Sequence, residues 1–270
     1  MPEPIASPVT AKRVLVTGGA QRLGARICRQ FAQAGWDVWC HYHRSADAAL
    51  ALCAELQANG WHAQAVQADM ADSAQRQAMV AHISATTGHL HCLVNNASSF
   101  EPDDAAGLDV DAMRRQMEVN LLAPIELASL VAQSVPVGTP AGACSILHVL
   151  DQKVFNLNPD YFSYTLSKLA LERAVALQAQ ALAPALRVCG VAPGLIFLSG
   201  PQSQTNFDAA STVNLMRRAV DPDQVAATCL FLAQNPCITG TTVVVDNGQH
   251  LVPLPRDVMF VVDDLLKGQP

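Results

Sequence analysis

Two hydrophobic periods alternate along the chain. Short apolar runs bounded by Gly, Pro, Asn or Asp recur between longer segments whose apolar positions repeat every three to four residues. The short runs read as strands buried on both faces, the longer segments as amphipathic helices. Strands are expected at 13–16, 37–41, 61–66, 91–94, 144–149, 186–191 and 241–245. Helices are expected at 23–35, 46–59, 74–87, 113–133 and 222–233, and from Pro159 onward, where the apolar positions are Phe162, Leu166, Leu169, Ala170 and Val175. Asn59-Gly60 supplies a helix stop. No internal repeat and no linker divides the series, so the pattern predicts one α/β domain over 12–252. Pro-rich residues 1–11 read as a flexible N-terminus and 253–270 as a C-terminal extension. A polar stretch, 199–213, reads as a mobile flap.

Composition narrows the field. The chain has 270 residues, half of them hydrophobic, and a net charge of −6 with its cations scattered. That supports a large core and argues against a nucleic-acid or anionic-membrane surface. Eight well-separated cysteines without a Cys-x-x-Cys pair predict reduced core thiols and a cytoplasmic protein. The histidines lack metal-ligand spacing, so no metal is expected. Neither a signal peptide nor a membrane-spanning run is evident.

Three stretches carry chemistry. The first strand runs into Thr17-Gly18-Gly19-Ala20-Gln21-Arg22-Leu23-Gly24 and then a helix. This order suits a dinucleotide, because glycines admit the pyrophosphate and the helix N-terminus offers free N–H groups. Twenty residues after Gly24, where an NAD site needs an acid for the ribose, stands His41-Tyr42-His43-Arg44-Ser45. Arg44 and Ser45, with Arg22 joining from the turn, suit a 2′-phosphate and hence NADPH. His41 and His43 are expected to pack beside the adenosine. Asp69 follows the third strand, placed to meet an adenine edge or to cap a helix. The strand at 144–149 ends at Asp151, and the next helix carries Tyr164 and Lys168 on one face. An unperturbed phenol is a poor acid at neutral pH, and an ammonium nearby favours its ionised form.

Together, Gly18 to Gly24, Asn95-Asn96-Ala97, Asn120 and Tyr164-x-x-x-Lys168 resemble the short-chain dehydrogenase/reductase superfamily over about 12–250. His41 to Ser45, Asn96 to Phe100, and Asp151 where most members have a serine resemble its pteridine reductases. The resemblance implies a doubly wound Rossmann fold with a mainly parallel seven-stranded sheet, and a homotetramer. It implies that Tyr164 donates a proton and that Lys168 holds the nicotinamide ribose and lowers the phenol's pKa. Asn120 would support a water linking Lys168 to solvent. Asp151 would orient the substrate or feed it protons, and Phe100 would stack on the pterin. Ser98 would touch cofactor phosphate or pterin, Pro193 and Gly194 would border the nicotinamide, and Leu23, Asn96 and Ala97 complete the cofactor set.

The expected activity is NADPH-dependent reduction of a pterin. Reduction of ketones or 3-oxoacyl thioesters, or a non-enzymatic NADPH-binding regulator, are the alternatives. Asp151 could instead cap the helix starting near Pro159. Glu101, Asp103 and Asp104 make the loop after Phe100 acidic, which disfavours an anionic substrate tail. Met259, Phe260, Val262 and Leu266 form an apolar stripe that would cover a subunit interface or dock on its own chain.

Overall fold

A computed structural model describes residues 11–200 and 202–267, so the expected flexible N-terminus lies outside the described residues except for residue 11. Seven strands form one sheet: β1 (Arg13–Val16), β2 (Asp37–Tyr42), β3 (Ala63–Gln67), β4 (Cys92–Asn95), β5 (Cys144–Val149), β6 (Leu186–Pro193) and β7 (Thr242–Val245). Their order is β3-β2-β1-β4-β5-β6-β7, and every neighbouring pair is parallel. Parallel strands need crossovers, and helices supply them on both faces. Alternation along each strand then feeds two cores. Val14, Val16, Val38 and Cys40 face α1 (Arg22–Gln33), α2 (Ala46–Ala58) and α8 (Pro222–Gln234). Leu15, Trp39, Leu93 and Ile146 face α3 (Ser73–Thr87), α5 (Ala123–Ser134) and α6 (Phe162–Leu182). Strand order reverses between β1 and β4, which opens a crevice at their C-terminal ends.

Four expectations are corrected. The helix expected at 113–133 is α4 (Val110–Met117), a π-turn (Glu118–Leu122) and α5. Pro124 is the cause: it has no N–H, so the carbonyl of Asn120 loses its ordinary partner four residues on. β3 starts at Ala63 because the Trp61 N–H still closes the end of α2, onto Leu56 O at 3.1 Å. α6 begins at Phe162, not Pro159, because Tyr161 takes a left-handed conformation (φ 56°) and Asp103 accepts the Ser163 N–H at 3.1 Å. The polar stretch is folded, not loose, over its described residues. It contains α7 (Gln204–Ala210), whose Asn206 is fully buried and donates to Met259 O at 2.8 Å and Asp263 Oδ1 at 2.6 Å.

Those acceptors belong to the C-terminal extension, which contains α9 (Val258–Lys267). Val258 and Val262 pack with Ala210, and Met259 packs with Tyr161 and Tyr164. Met259, Phe260 and Val262 of the stripe therefore dock on their own chain, while Leu266 stays exposed. All eight cysteines are free thiols, seven of them buried. Among the described residues no helix is long and apolar enough to cross a membrane, and no cluster of three His, Cys, Asp or Glu could hold a metal.

Met259→Ala removes a buried side chain that joins α9 to the sheet's helices. Denaturant unfolding should show a loss of about 2–5 kcal/mol. A loss near zero would mean that α9 is not docked.

Candidate active site

A cleft of about 890 Å³ follows the crevice, from the Gly-rich turn and the end of β2 to Asp151, Tyr164 and α9. At one end, chain packing forces the glycines. Gly18 has φ +60°, and a Cβ on Gly24 would collide with the Gly18 carbonyl. Asn96 ties β4 to this turn: its Nδ2 donates to Thr17 O at 2.9 Å and Gly18 O at 3.1 Å. Thr17 Oγ1 accepts the main-chain N–H groups of Asn96 and Ala97. No side chain caps α1 and its first turn holds no acid, so its N–H groups and positive end stay available to an anion.

His41 was expected as a packing residue, and it does more. It is 1% exposed, accepts the Gly18 N–H on Nδ1 at 3.0 Å and donates from Nε2 to Ala68 O at 3.0 Å. Burial holds its pKa down at about 4, so it stays neutral and keeps this tautomer. It thus braces the turn against β2 and the end of β3. Nothing in the local sequence distinguishes it from His43, which is exposed and lies 3.5 Å from Asp69.

Arg44, Ser45, His43 and Asp69 line the same end of the cleft. Arg44 is exposed at the rim, and Ser45 begins α2 without using its hydroxyl as a cap. Arg22 does not join them here. Its guanidinium donates to Leu198 O at 2.8 Å and lies over the Phe197 ring. Asp69 is not the helix cap: Asp72 caps α3, accepting from Ala74 and Gln75, while Asp69 Oδ1 accepts from Ala71 N.

Strand β5 and helix α6 converge at the other end. Tyr164 donates to Asp151 Oδ2 at 2.9 Å. Asp151 Oδ1 accepts the Lys153 N–H at 2.8 Å, so the residue does cap a helix, but the short 3₁₀ turn Gln152–Val154 rather than α6. Lys168 is buried and donates to Val149 O at 2.8 Å. Burial lowers its pKa to about 8, with the Asp151 carboxylate opposing the fall. Burial raises the pKa of Asp151. Burial and then the Asp151 charge push Tyr164 well above the ordinary phenol value. This corrects the expectation that Lys168 lowers the phenol's pKa: its ammonium lies 5.8 Å from the ring centroid and is bonded to a carbonyl. Tyr164 is held neutral.

Asn120 is fully buried in the π-turn, and all four bonding positions of its amide are filled. Oδ1 accepts from Ser99 N at 2.7 Å and Ser98 Oγ at 3.1 Å, and Nδ2 donates to Ser99 O at 2.8 Å and Ser167 Oγ at 3.1 Å. Its side chain therefore has no place for the expected water and instead pins the Ser98-Ser99 loop to α6. Phe100, the next residue, stacks on Tyr161 (4.1 Å, 20°) and meets Tyr164 edge-on at 4.6 Å. Pro193 and Gly194 line the cleft where β6 ends, with the Gly194 N–H on Val245 O. Leu23 lines it at the opposite end, near the start of α1.

The loop after Phe100 is less acidic toward the cleft than its sequence suggests. Asp103 caps α6 and Asp104 accepts from Ala106 and Gly107, while Glu101 alone of the three lines the cleft. Tyr161, Lys153 and Met259 also line it, and none of them was marked beforehand as a site residue. Tyr161 stood three positions before Tyr164, one turn away, which is the signal that could have found it.

Comparison with known proteins agrees with this geometry. The model of the family described as "Enoyl-(Acyl carrier protein) reductase" matches residues 18–250. The pteridine reductase 1 of Leishmania tarentolae is 32% identical, over 90% of this chain and 97% of its own. A dihydromonapterin reductase of Escherichia coli O6:K15:H31 is 25% identical over 88% of this chain and 96% of its own. The crystal structure of an alternative dihydrofolate reductase 1, FolM, of Brucella canis, complexed with NADP, superposes with a TM-score of 0.85. It is 36% identical and covers 90% of this chain and 95% of that one. With the fold, the Gly-rich turn and Tyr164-x-x-x-Lys168 all in place, the chain belongs to the short-chain dehydrogenase/reductase family.

Proposed function

We propose that the protein is a cytoplasmic, NADPH-dependent reductase of pterins, working as a homotetramer. The observation that carries the substrate class is the hydrogen bond from Tyr164 to Asp151 inside an aromatic-walled cleft. The similarity to pteridine and dihydromonapterin reductases supports the same reading.

The residues present fit the cofactor. Gly18, Leu23 and Gly24 with the free N-terminus of α1 would hold the pyrophosphate, and Arg44 with Ser45 the 2′-phosphate, beside His43 and Asp69. Asn96 and Ala97 keep that turn in shape, Lys168 would hold the nicotinamide ribose, and Ser98, Pro193 and Gly194 border its ring. NADPH, when bound, supplies the hydride.

The chain's own part is the proton. Reducing a C=N bond requires a proton on nitrogen. Tyr164 is neutral across the physiological range and gives up its hydroxyl proton to that nitrogen. Asp151, whose raised pKa keeps a proton longer than an ordinary carboxyl, returns one to the phenolate oxygen. The carbonyl of Asn120, freed by Pro124, would hold a water on the path from Lys168 to solvent. Phe100 offers a flat apolar ring to a flat heterocycle.

Side-by-side NADPH oxidation with dihydrobiopterin, dihydromonapterin, dihydrofolate and a 3-oxoacyl ester tests the reading. Dihydropterins should be turned over best; activity on the ester alone would reject it.

The pH profile carries a sign. Turnover of dihydropterin should fall as pH rises, through loss of the proton that burial helps Asp151 to keep and through loss of the Lys168 proton at about 8. Asp151→Asn cannot pass a proton, so kcat should drop by about 100-fold or more and the first of these limbs should vanish. An unchanged profile would remove Asp151 from the proton path.

Cofactor choice is a separate test. Arg44→Ala should weaken NADPH binding by about 1.5–3 kcal/mol and leave NADH binding nearly unchanged. Equal losses in a calorimetric titration would make Arg44 structural.

A further inference from the structure

Behind Asp151 the cleft is built on an ion pair, buried at Lys153 and half-buried at Asp257, that reaches into the C-terminal extension. Lys153 lies two residues after Asp151, and its main-chain N–H holds one carboxylate oxygen of that residue. Its side chain is 4% exposed. Nζ donates to Asp257 Oδ2 at 2.9 Å, Asn158 Oδ1 at 2.9 Å and Asp160 O at 3.2 Å, which uses all three of its protons. Asp257 stands one residue before α9. Its N–H donates to Asp160 Oδ2 at 2.7 Å, and its Oδ1 accepts from Met259 N at 3.1 Å. Lys153, Asp257 and Met259 all line the cleft. Asp257 also lies beyond the residues matched to the family.

A pair of this kind adds little net stability against an apolar replacement. Its place beside the proton donor gives it another use. We propose that Lys153 and Asp257 are positioning residues that hold the Asp151 carboxyl against Tyr164 and make the C-terminal segment part of the reductase site.

This inference rests on the role given to Asp151 above. The two charges act on Asp151 in opposite directions, the ammonium favouring its ionised form and the Asp257 carboxylate disfavouring it. The other groups facing Asp151 are Tyr164 and Lys168 from α6. Asp160 and Arg256, paired at 2.8 Å, stand one layer out.

Opposite signs make the test. Carbon-13 labelling of Asp carboxyls, with the Asp151 resonance identified by its loss in Asp151→Asn, reads the titration in the ligand-free protein. Lys153→Met should move it to higher pH and Asp257→Asn to lower pH, each by about half a unit or more. Lys153→Arg keeps the charge and should restore the original value. The same displacements should appear in the pH profile of kcat for a dihydropterin. Shifts of the same sign, or a titration that either variant leaves unmoved, would overturn the proposal. If Lys153→Met does not fold, Asp257→Asn decides alone: a downward shift supports the pair and no shift rejects it. The titration needs no turnover. A wild type that reduces no dihydropterin would therefore count against the functional reading, and these shifts would still judge the pair.

Discussion

Tyr164 and Asp151 meet at 2.9 Å in a place that strips both of most of their water. Burial makes both hard to ionise; the Asp151 charge holds the phenol's pKa up further, while the hydrogen bond from Tyr164 works against the rise at Asp151. The rest of the cleft follows from keeping that contact. β5 delivers Asp151 at its C-terminal end, the 3₁₀ turn fixes one of its oxygens, and α6 presents Tyr164 to the other. Lys168 sits one turn along α6, with its ammonium tied to Val149 O at the end of the same strand. A serine at this strand end could share a hydrogen bond with the phenol but could not store a proton. A carboxyl in an apolar wall can.

The opposite end of the cleft depends on backbone rather than on ionisable groups. Gly24 is there because the Gly18 carbonyl occupies the space a side chain would need. His41 and Asn96 then lock the turn from two different strands. Both do so as neutral donors and acceptors, and His41, held down at about 4, stays neutral where Lys168 titrates at about 8.

Much of this was legible in the sequence because it is local. Strand and helix periods gave the seven strands to within two residues at either end, and the Gly-rich turn and Tyr164-x-x-x-Lys168 are short motifs. What was missed joins distant positions. Asp103 caps α6 across 60 residues, and Lys153 reaches Asp257 across 104. A polar stretch read as loose because a fully buried anchor, Asn206, finds its partners on α9. The phenol's pKa was expected to fall because spacing shows that Lys168 shares a face with Tyr164. Spacing does not show that its ammonium turns to a carbonyl while a carboxyl takes the hydroxyl. The π-turn did have a local signal, Pro124, within an otherwise regular helical pattern.

In the function proposed, Asp151 separates this site from one that reduces carbonyls. The most direct measurement is the ratio of kcat/KM for a dihydropterin to that for a 3-oxoacyl ester, in the wild type and in Asp151→Ser. Serine keeps a partner for Tyr164 and removes the stored proton. The ratio should fall by about 100-fold or more, nearly all of it through loss of pterin turnover. A ratio that does not change would contradict the account, whatever happens to the two rates separately.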